Sequence, residues 1–194
     1  MRAITRWAAG LWVIFAPALA SAACPLTPAV NCAGADLRGL DGVGLDLTGS
    51  DLHGANLSAS ELAQARMAGA NLEQVSFYAA NLRAADFSGA RLAGANFRQA
   101  HLEGANLRGA DLRGAELSYS ILDGADLTNA DLREARLVLI DLRNVRLDGA
   151  KIEGAVWTTR RVCQLGSSGA HCIEGEASYK LPSGVSAPGE NSAK

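Results

Sequence analysis

The chain contains few aromatic residues, few prolines and little net charge. Aromatic side chains make up 5% of the 194 residues, the proline count is 5, and the formal net charge is −2. A nearly neutral chain has no strong field for nucleic acid or for a highly charged partner. The histidine count is only 3, and no nucleophile elbow, zinc-protease motif or phosphate-binding loop is present. We therefore expect a protein that is not an enzyme, without catalytic, cofactor-binding or metal-binding residues and without a nucleic-acid partner.

The first 23 residues have the pattern of a secretory signal peptide. Arg2 and Arg6 supply the positive start, residues 7–19 are apolar, and Ala20-Ser21-Ala22 offers a cleavage site. The apolar stretch is too short to cross a bilayer comfortably as a helix. The sequence therefore predicts an exported protein, periplasmic or secreted, without a membrane span.

From Ala35 to Trp157 the chain repeats every five residues, without insertion or deletion. In most units a small residue and a large apolar residue stand two positions apart. Only Gly42 interrupts the large series, whereas the small series departs at Leu40, Leu45, Ile140 and Val145. A helix needs apolar spacings of three and four, and a plain strand needs strict alternation, so this period fits neither. A short strand followed by a bend fits it, and glycine suits the bend. Such units wind a chain into a coil that buries its core only against neighbouring coils.

Several units share the form Ala-Asp/Asn-Leu. Examples are Ala55-Asn56-Leu57, Ala70-Asn71-Leu72, Ala105-Asn106-Leu107 and Ala125-Asp126-Leu127. This pattern resembles the pentapeptide-repeat family. The resemblance implies an all-β fold, a right-handed quadrilateral β-helix with four units per coil, in which residues twenty apart stack on one wall. About twenty-five units would make about six coils, roughly 30 Å of solenoid at the strand spacing of a sheet.

The cysteines flank the repeat in two close pairs, Cys24 with Cys32 and Cys163 with Cys172. An exported chain with an even cysteine count favours disulfides, and the rigid repeat separates the two pairs by more than a disulfide can span. We therefore predict the bonds Cys24–Cys32 and Cys163–Cys172, which close the two ends of the coil. In the alternative, which we rank second, Cys24 is acylated as in a lipoprotein, although Ser21 stands where such signals usually place a leucine.

These features divide the chain into five segments. Residues 1–23 form the signal peptide, 24–34 an N-terminal disulfide cap, 35–159 the β-helix, 160–175 a C-terminal disulfide loop and 176–194 a tail. The tail is rich in Ser, Gly, Pro and Glu, a composition that cannot bury enough apolar surface to fold by itself. We therefore predict that the tail is disordered.

Near the C-terminal end of the repeat, Tyr119, Ile121, Val138 and Leu139 occupy positions that should point outward. Tyr119 and Leu139 are twenty apart and should stack on adjacent coils, which places all four residues at one corner. Exposed apolar clusters often mark interaction sites. We predict either a patch for a protein partner or self-association, or a surface that the tail or the Cys163–Cys172 loop covers. A further outward aromatic residue, Tyr78, is predicted to stand alone.

The sequence favours an exported structural or protein-interaction module that presents a rigid surface. The alternative is a DNA mimic that inhibits a nucleic-acid enzyme such as gyrase, a function that the family resemblance implies for some members. Such a rod needs a dense negative surface, yet residues 35–157 carry 17 acidic and 12 basic side chains. Export would also separate the protein from cytosolic gyrase, so both charge and compartment disfavour this alternative.

The disulfide prediction is tested by the mass of the mature protein without reduction. We expect cleavage near Ala23, a mass lower by two hydrogens for each disulfide, and non-reduced peptides that join Cys24 to Cys32 and Cys163 to Cys172. A peptide that joins Cys24 to Cys163 or Cys172 would rule out this pairing. A mass raised by a diacylglycerol or triacyl group would instead show that Cys24 is a lipid anchor.

Overall fold

The computed structural model describes residues 24–140, 142, 144–158, 162–166 and 169–173. For residues 157–158, 162–166 and 169–173 it describes the backbone alone. The predicted signal peptide (1–23) and the predicted tail (176–194) lie outside these residues.

The coil is held together by parallel bridges between residues that are twenty apart. One ladder links positions 31, 51, 71, 91, 111, 131 and 151, and three equivalent ladders run along the other sides. Each bridge is closed by backbone hydrogen bonds in both directions. For example, Leu57 N donates to Ser76 O at 2.7 Å, and Ser76 N donates to Ala55 O at 2.9 Å. Since twenty residues are four units of five, each coil has four short strands and four corners.

The corner of each unit is left-handed, whether or not the residue is glycine. Gly109 has φ of 64° and Ala84 has φ of 54°. In both, the corner N–H donates to a carbonyl of the next coil, Gly109 to Thr128 O and Ala84 to Glu103 O, each at 2.9 Å. The inter-coil hydrogen bonds therefore impose the corner, and glycine only lowers its conformational cost.

The core is a column of large apolar side chains lined by alanines. Leu, Met or Phe fills the large position and is fully buried along most of the coil. In the middle, the rings of Phe77 and Phe97 stack at 5.2 Å between centroids, and Phe87 meets both edge-on at 5.6 and 5.9 Å. The small residues let opposite walls approach until these side chains interdigitate, as in a well-packed interior.

The ends of the described chain differ from the regular coil. At the N-terminal end a disulfide joins Cys24 and Cys32, whose Cα atoms are 5.7 Å apart. Towards the C-terminal end, strands β1 (Arg136–Val138) and β2 (Val156–Thr158) pair in parallel across one coil step. Strands β3 (Val162–Gly166) and β4 (Gly169–Ile173) then form an antiparallel hairpin.

The register of that hairpin places Cys163 opposite Cys172. Directly opposite residues of an antiparallel pair have Cα atoms about 4.5–5.5 Å apart, which is within disulfide range. The bond itself depends on side chains outside the described part of the structure, so the Cys163–Cys172 disulfide stays a prediction.

The charged side chains of the walls are largely paired with one another. Arg113 binds Asp111 through two hydrogen bonds of 2.8 and 2.7 Å, and Arg133 binds Asp131 in the same way one coil further on, at 2.8 and 2.6 Å. On another wall, Asp126 lies 3.0 Å from Arg108 and 3.3 Å from Arg146. Exposed pairs of this kind contribute little to stability, but they neutralise the walls locally.

These pairs predict that the protein loses stability in acid. The hydrogen bonds from Arg113 and from Arg133 lower the pKa of Asp111 and of Asp131 below the ordinary value of 3.8. Carboxyls with a lowered folded-state pKa stabilise the fold above their unfolded pKa, and this contribution disappears as the pH falls through the folded value. Urea unfolding at several pH values should show a free-energy difference between wild type and Asp131→Asn that shrinks below about pH 4. A difference that stays constant to about pH 2 would contradict it.

The aromatic part of the core predicts a large cost for truncation. Phe87→Ala should lower the free energy of unfolding by about 3–5 kcal/mol, because it removes a buried ring and leaves a cavity beside the stacked rings of Phe77 and Phe97. Phe87→Leu is the matched control, since leucine occupies this position in most units, and it should cost less than about 1.5 kcal/mol. Equal urea midpoints for the two variants would show that Phe87 does not fill the core as described.

Candidate functional site

The four predicted patch residues lie together on the surface. Tyr119, Ile121 and Leu139 are 46%, 40% and 51% exposed, and Val138 is half-buried beside Leu139. Tyr119 and Leu139 occupy the same corner on successive coils, and Tyr119 N donates to Val138 O at 3.0 Å. The twenty-residue stacking predicted from the repeat therefore brings these residues to one corner.

Three further residues belong to this surface and were missed in the sequence. Tyr78 is 41% exposed and Val156 is 39% exposed. Residues twenty apart stack in one column along the coil, and Tyr78 lies three coil steps before Val138 in its column, with Arg98 two steps before it. Val156 pairs with Arg136 in the β1–β2 sheet. Tyr78 is predicted to stand alone, and the stacking period places it one coil step from Arg98. We refer to Tyr78, Arg98, Tyr119, Ile121, Val138, Leu139 and Val156 as the corner patch.

Two residues of the corner patch sit in an unfavourable backbone conformation. Tyr119 has φ of 64° and Leu139 has φ of 54°. The other corners in the described residues carry Gly, Ala, Asn, Gln or Glu. A side chain in the left-handed region costs roughly 1–2 kcal/mol, and these two are also exposed to water. Ten further corners without glycine have the same left-handed φ, so what distinguishes Tyr119 and Leu139 is that their side chains are large and exposed.

The electrostatics of the corner patch leave one cation without an acidic partner. The guanidinium carbon of Arg98 lies 5.6 Å from the centroid of the Tyr119 ring, in cation–π range. Within the described residues Arg98 makes no ion pair, whereas Arg136 lies 3.0 Å from Glu116. Burial raises the pKa of Glu116, but hydrogen bonds from Ser118 and the charge of Arg136 outweigh it, so its pKa is lowered. The patch is therefore mostly apolar, with one cation, Arg98, between Tyr78 and Tyr119.

Other candidate groups do not converge on a reactive site. A shallow notch of about 360 Å³ is lined by Ala93, Arg113, Gly114, Arg133 and Glu134. Both of its arginines already bind aspartates of their own coil. No set of three His, Cys, Asp or Glu side chains in the described part of the chain is arranged to hold a metal ion.

The histidines whose side chains are described pair with neighbouring acids on different walls. His53 lies 3.9 Å from Glu73, and His101 lies 3.3 Å from Glu103. Among the residues that the structure covers, no helix has the length and apolar character needed to span a bilayer.

Comparison with known proteins agrees with this architecture. Residues 29–62, 55–92, 90–129 and 120–156 match the family model described as pentapeptide repeats, in 8 copies. No curated protein matches the chain. A pentapeptide repeat protein from the thylakoid lumen of Arabidopsis thaliana is 37% identical, with a TM-score of 0.50 over 51% of this chain and 69% of that one.

Two further solved structures match with lower scores. Rfr23 of the cyanobacterium Cyanothece 51142 is 26% identical, with a TM-score of 0.42 over 66% of this chain and 91% of that one. QnrB1, a plasmid-mediated fluoroquinolone resistance protein, is 21% identical, with a TM-score of 0.38 over 63% of this chain and 77% of that one. The family match covers most of the described coil and implies the right-handed quadrilateral β-helix predicted from the sequence. The chain belongs to the pentapeptide-repeat family.

Proposed function

We propose that this protein is an exported protein-interaction module that binds a protein partner through the corner patch. Pentapeptide-repeat proteins are generally structural or interaction modules rather than enzymes. The observation that carries the proposal is the presence of two large apolar side chains, Tyr119 and Leu139, at exposed left-handed corners. Glycine or a small polar residue would make the coil more stable at both positions, so stability does not explain them.

The rigidity of the coil supports this function. The backbone of the corner patch is fixed by inter-coil hydrogen bonds such as Tyr119 N to Val138 O. A preformed surface loses little conformational entropy when it binds, which improves affinity for a given contact area. Tyrosine and arginine are also enriched among the residues that dominate protein interfaces, and Arg98 and Tyr119 stand against each other here.

We assign the protein to the periplasm or the extracellular space on the signal-peptide pattern. The Cys24–Cys32 disulfide supports this compartment, because disulfides persist in oxidising surroundings. It also supports a soluble form over a lipoprotein, since a sulfur bound to another cysteine cannot carry a lipid. The thylakoid-lumen location stated for the Arabidopsis relative is in keeping with a non-cytosolic setting. About six coils with a disulfide at each end remain the architecture that we expect for the mature rod.

The DNA-mimic alternative receives less support from the walls. A mimic of duplex DNA needs an unbroken negative surface, and here arginines lie beside aspartates on several coils. The corner patch itself is mostly apolar and contains a cation, Arg98, so it would not imitate a phosphate backbone.

The proposal predicts that stability and binding change in opposite directions when Leu139 becomes glycine. Leu139→Gly relieves the left-handed corner and should raise the free energy of unfolding by about 1 kcal/mol, while it removes the centre of the patch. Ala84→Gly is the matched control, because Ala84 has the same φ of 54° at a corner outside the patch. It should stabilise the coil equally and leave binding unchanged.

Binding is measured by capture from the exported fraction of the source cells on immobilised mature protein, with quantitative mass spectrometry, and by sedimentation velocity. We expect proteins that wild type and Ala84→Gly retain equally and that Leu139→Gly retains about tenfold less, as for an interface hot spot. Identical captured proteins and identical sedimentation for all three would refute the proposal. A loss of stability in Leu139→Gly would show instead that Leu139 serves the fold.

A further inference from the structure

Arg98 is the charged residue of the corner patch, and the described coil gives it no acidic partner. Every other arginine whose side chain is described lies 3.5 Å or less from a carboxylate oxygen. Arg98 is exposed, and its guanidinium lies against the ring of Tyr119 without donating a hydrogen bond to any described residue. A guanidinium has five N–H donors, so Arg98 can offer them to an acceptor outside the coil.

Apolar side chains of the patch lie on both sides of Arg98 along the rod. Tyr78 lies one coil step before it, Tyr119 one step after it, and Val138 and Leu139 two steps after it. At the strand spacing of a sheet these steps are about 5 and 10 Å. A carboxylate that binds Arg98 beneath a docked partner would be shielded from water on both sides, and exclusion of water strengthens a charge-assisted hydrogen bond.

The contact with Tyr119 does not prevent Arg98 from binding a carboxylate, because the two contacts use different parts of the guanidinium. An aromatic ring packs against the flat face of the group. The N–H groups point outwards in its plane, as a fork that matches the two oxygens of a carboxylate. Tyr119 therefore holds Arg98 in position, which reduces the side-chain entropy that binding would cost.

A second copy of this chain does not supply the missing carboxylate. Contact between two corner patches would bring a second Arg98 into the interface, and like charges across an interface oppose association. The two walls that meet at this corner carry Glu103 and Glu116, but Glu103 lies 2.7 Å from Arg83 and Glu116 lies 3.0 Å from Arg136. Charge complementarity therefore favours a different protein, one that carries an unpaired acid.

We propose that the partner presents an Asp or Glu side chain to Arg98 from an extended segment, whose large apolar residues pack on Tyr78, Tyr119 and Leu139. This inference rests on the proposed function and specifies the partner of the same patch. Side chains on one face of an extended segment are about 7 Å apart. The segment must therefore carry large apolar residues within about three positions of the acid, on both sides.

The proposal is tested with a library of random peptides of about ten residues, which when extended exceed the roughly 19 Å from Tyr78 to Val156. The peptides are N-acetylated and anchored through their C-terminus, so Asp and Glu side chains are their only carboxylates. Wild-type mature protein should select peptides with the pattern above, and Arg98→Glu should lose them. Arg38→Glu is the matched control and should select the same peptides as wild type, because Arg38 has the same position on the same wall, three coil steps before Arg98 and outside the patch.

The selected peptides are then measured in solution as C-terminal amides. Asn or Gln in place of the acid should weaken binding to wild type at least about tenfold, and Lys in its place should restore binding to Arg98→Glu. Equal urea midpoints for Arg98→Glu and Arg38→Glu verify that both variants are folded. Four results would overturn the proposal: no peptide selected by wild type, selected peptides without the acid, equal binding by Arg98→Glu, or binding only of peptides with a free C-terminal carboxylate.

Leu139→Gly separates this inference from the proposed function. Loss of the peptides by Leu139→Gly together with equal binding by Arg98→Glu would leave the corner patch as a binding site and exclude the carboxylate contact. Equal binding by Leu139→Gly together with loss by Arg98→Glu would retain the carboxylate contact and exclude Leu139 as the centre of the site. Equal binding by both variants would refute both proposals.

Discussion

The structure depends on one constraint, the exchange of backbone hydrogen bonds between residues twenty apart. Each short strand exchanges hydrogen bonds with the coils on both sides: Leu57 N donates to Ser76 O in the coil after it, and Ser76 N donates to Ala55 O in the coil before it. One inserted residue would move every later side chain from the core to the surface or from one wall to the next. The uninterrupted five-residue period and the left-handed corners both follow from this constraint, because neither depends on the identity of an outward side chain.

The same constraint separates the positions that serve the fold from those that are free to serve function. Inward positions must alternate small and large apolar residues so that opposite walls meet around side chains such as Phe77, Phe87 and Phe97. Outward positions do not have to hold small or large apolar residues in this order. On most of the surface they hold charges that neutralise each other, as Arg113 does with Asp111. Against this background, Tyr119 and Leu139 are conspicuous, since they are apolar, exposed and strained at once.

The fold could be predicted from the sequence because a strict repeat shows which residues pair between neighbouring coils. The period predicted which residues stack, and from it the four residues Tyr119, Ile121, Val138 and Leu139 were expected at one corner. Tyr78 and Arg98 obey the same period, but a single outward aromatic residue does not by itself indicate a patch. The cation–π contact of Arg98 with Tyr119 depends on side-chain conformation, which no repeat pattern specifies. The hairpin lies outside the period, and only its cysteine pair indicated that its two strands meet.

A coil locked at every step also limits how its surface can be controlled. Each unit is bonded to the coils on both sides, so a wall has no hinge that could open or close a binding surface. The N-terminal cap is fastened by the Cys24–Cys32 disulfide and by the hydrogen bond from Ala29 N to Thr48 O, at 3.0 Å. The corner patch is therefore a preformed surface, and a partner has to match the positions in which the coil holds its side chains.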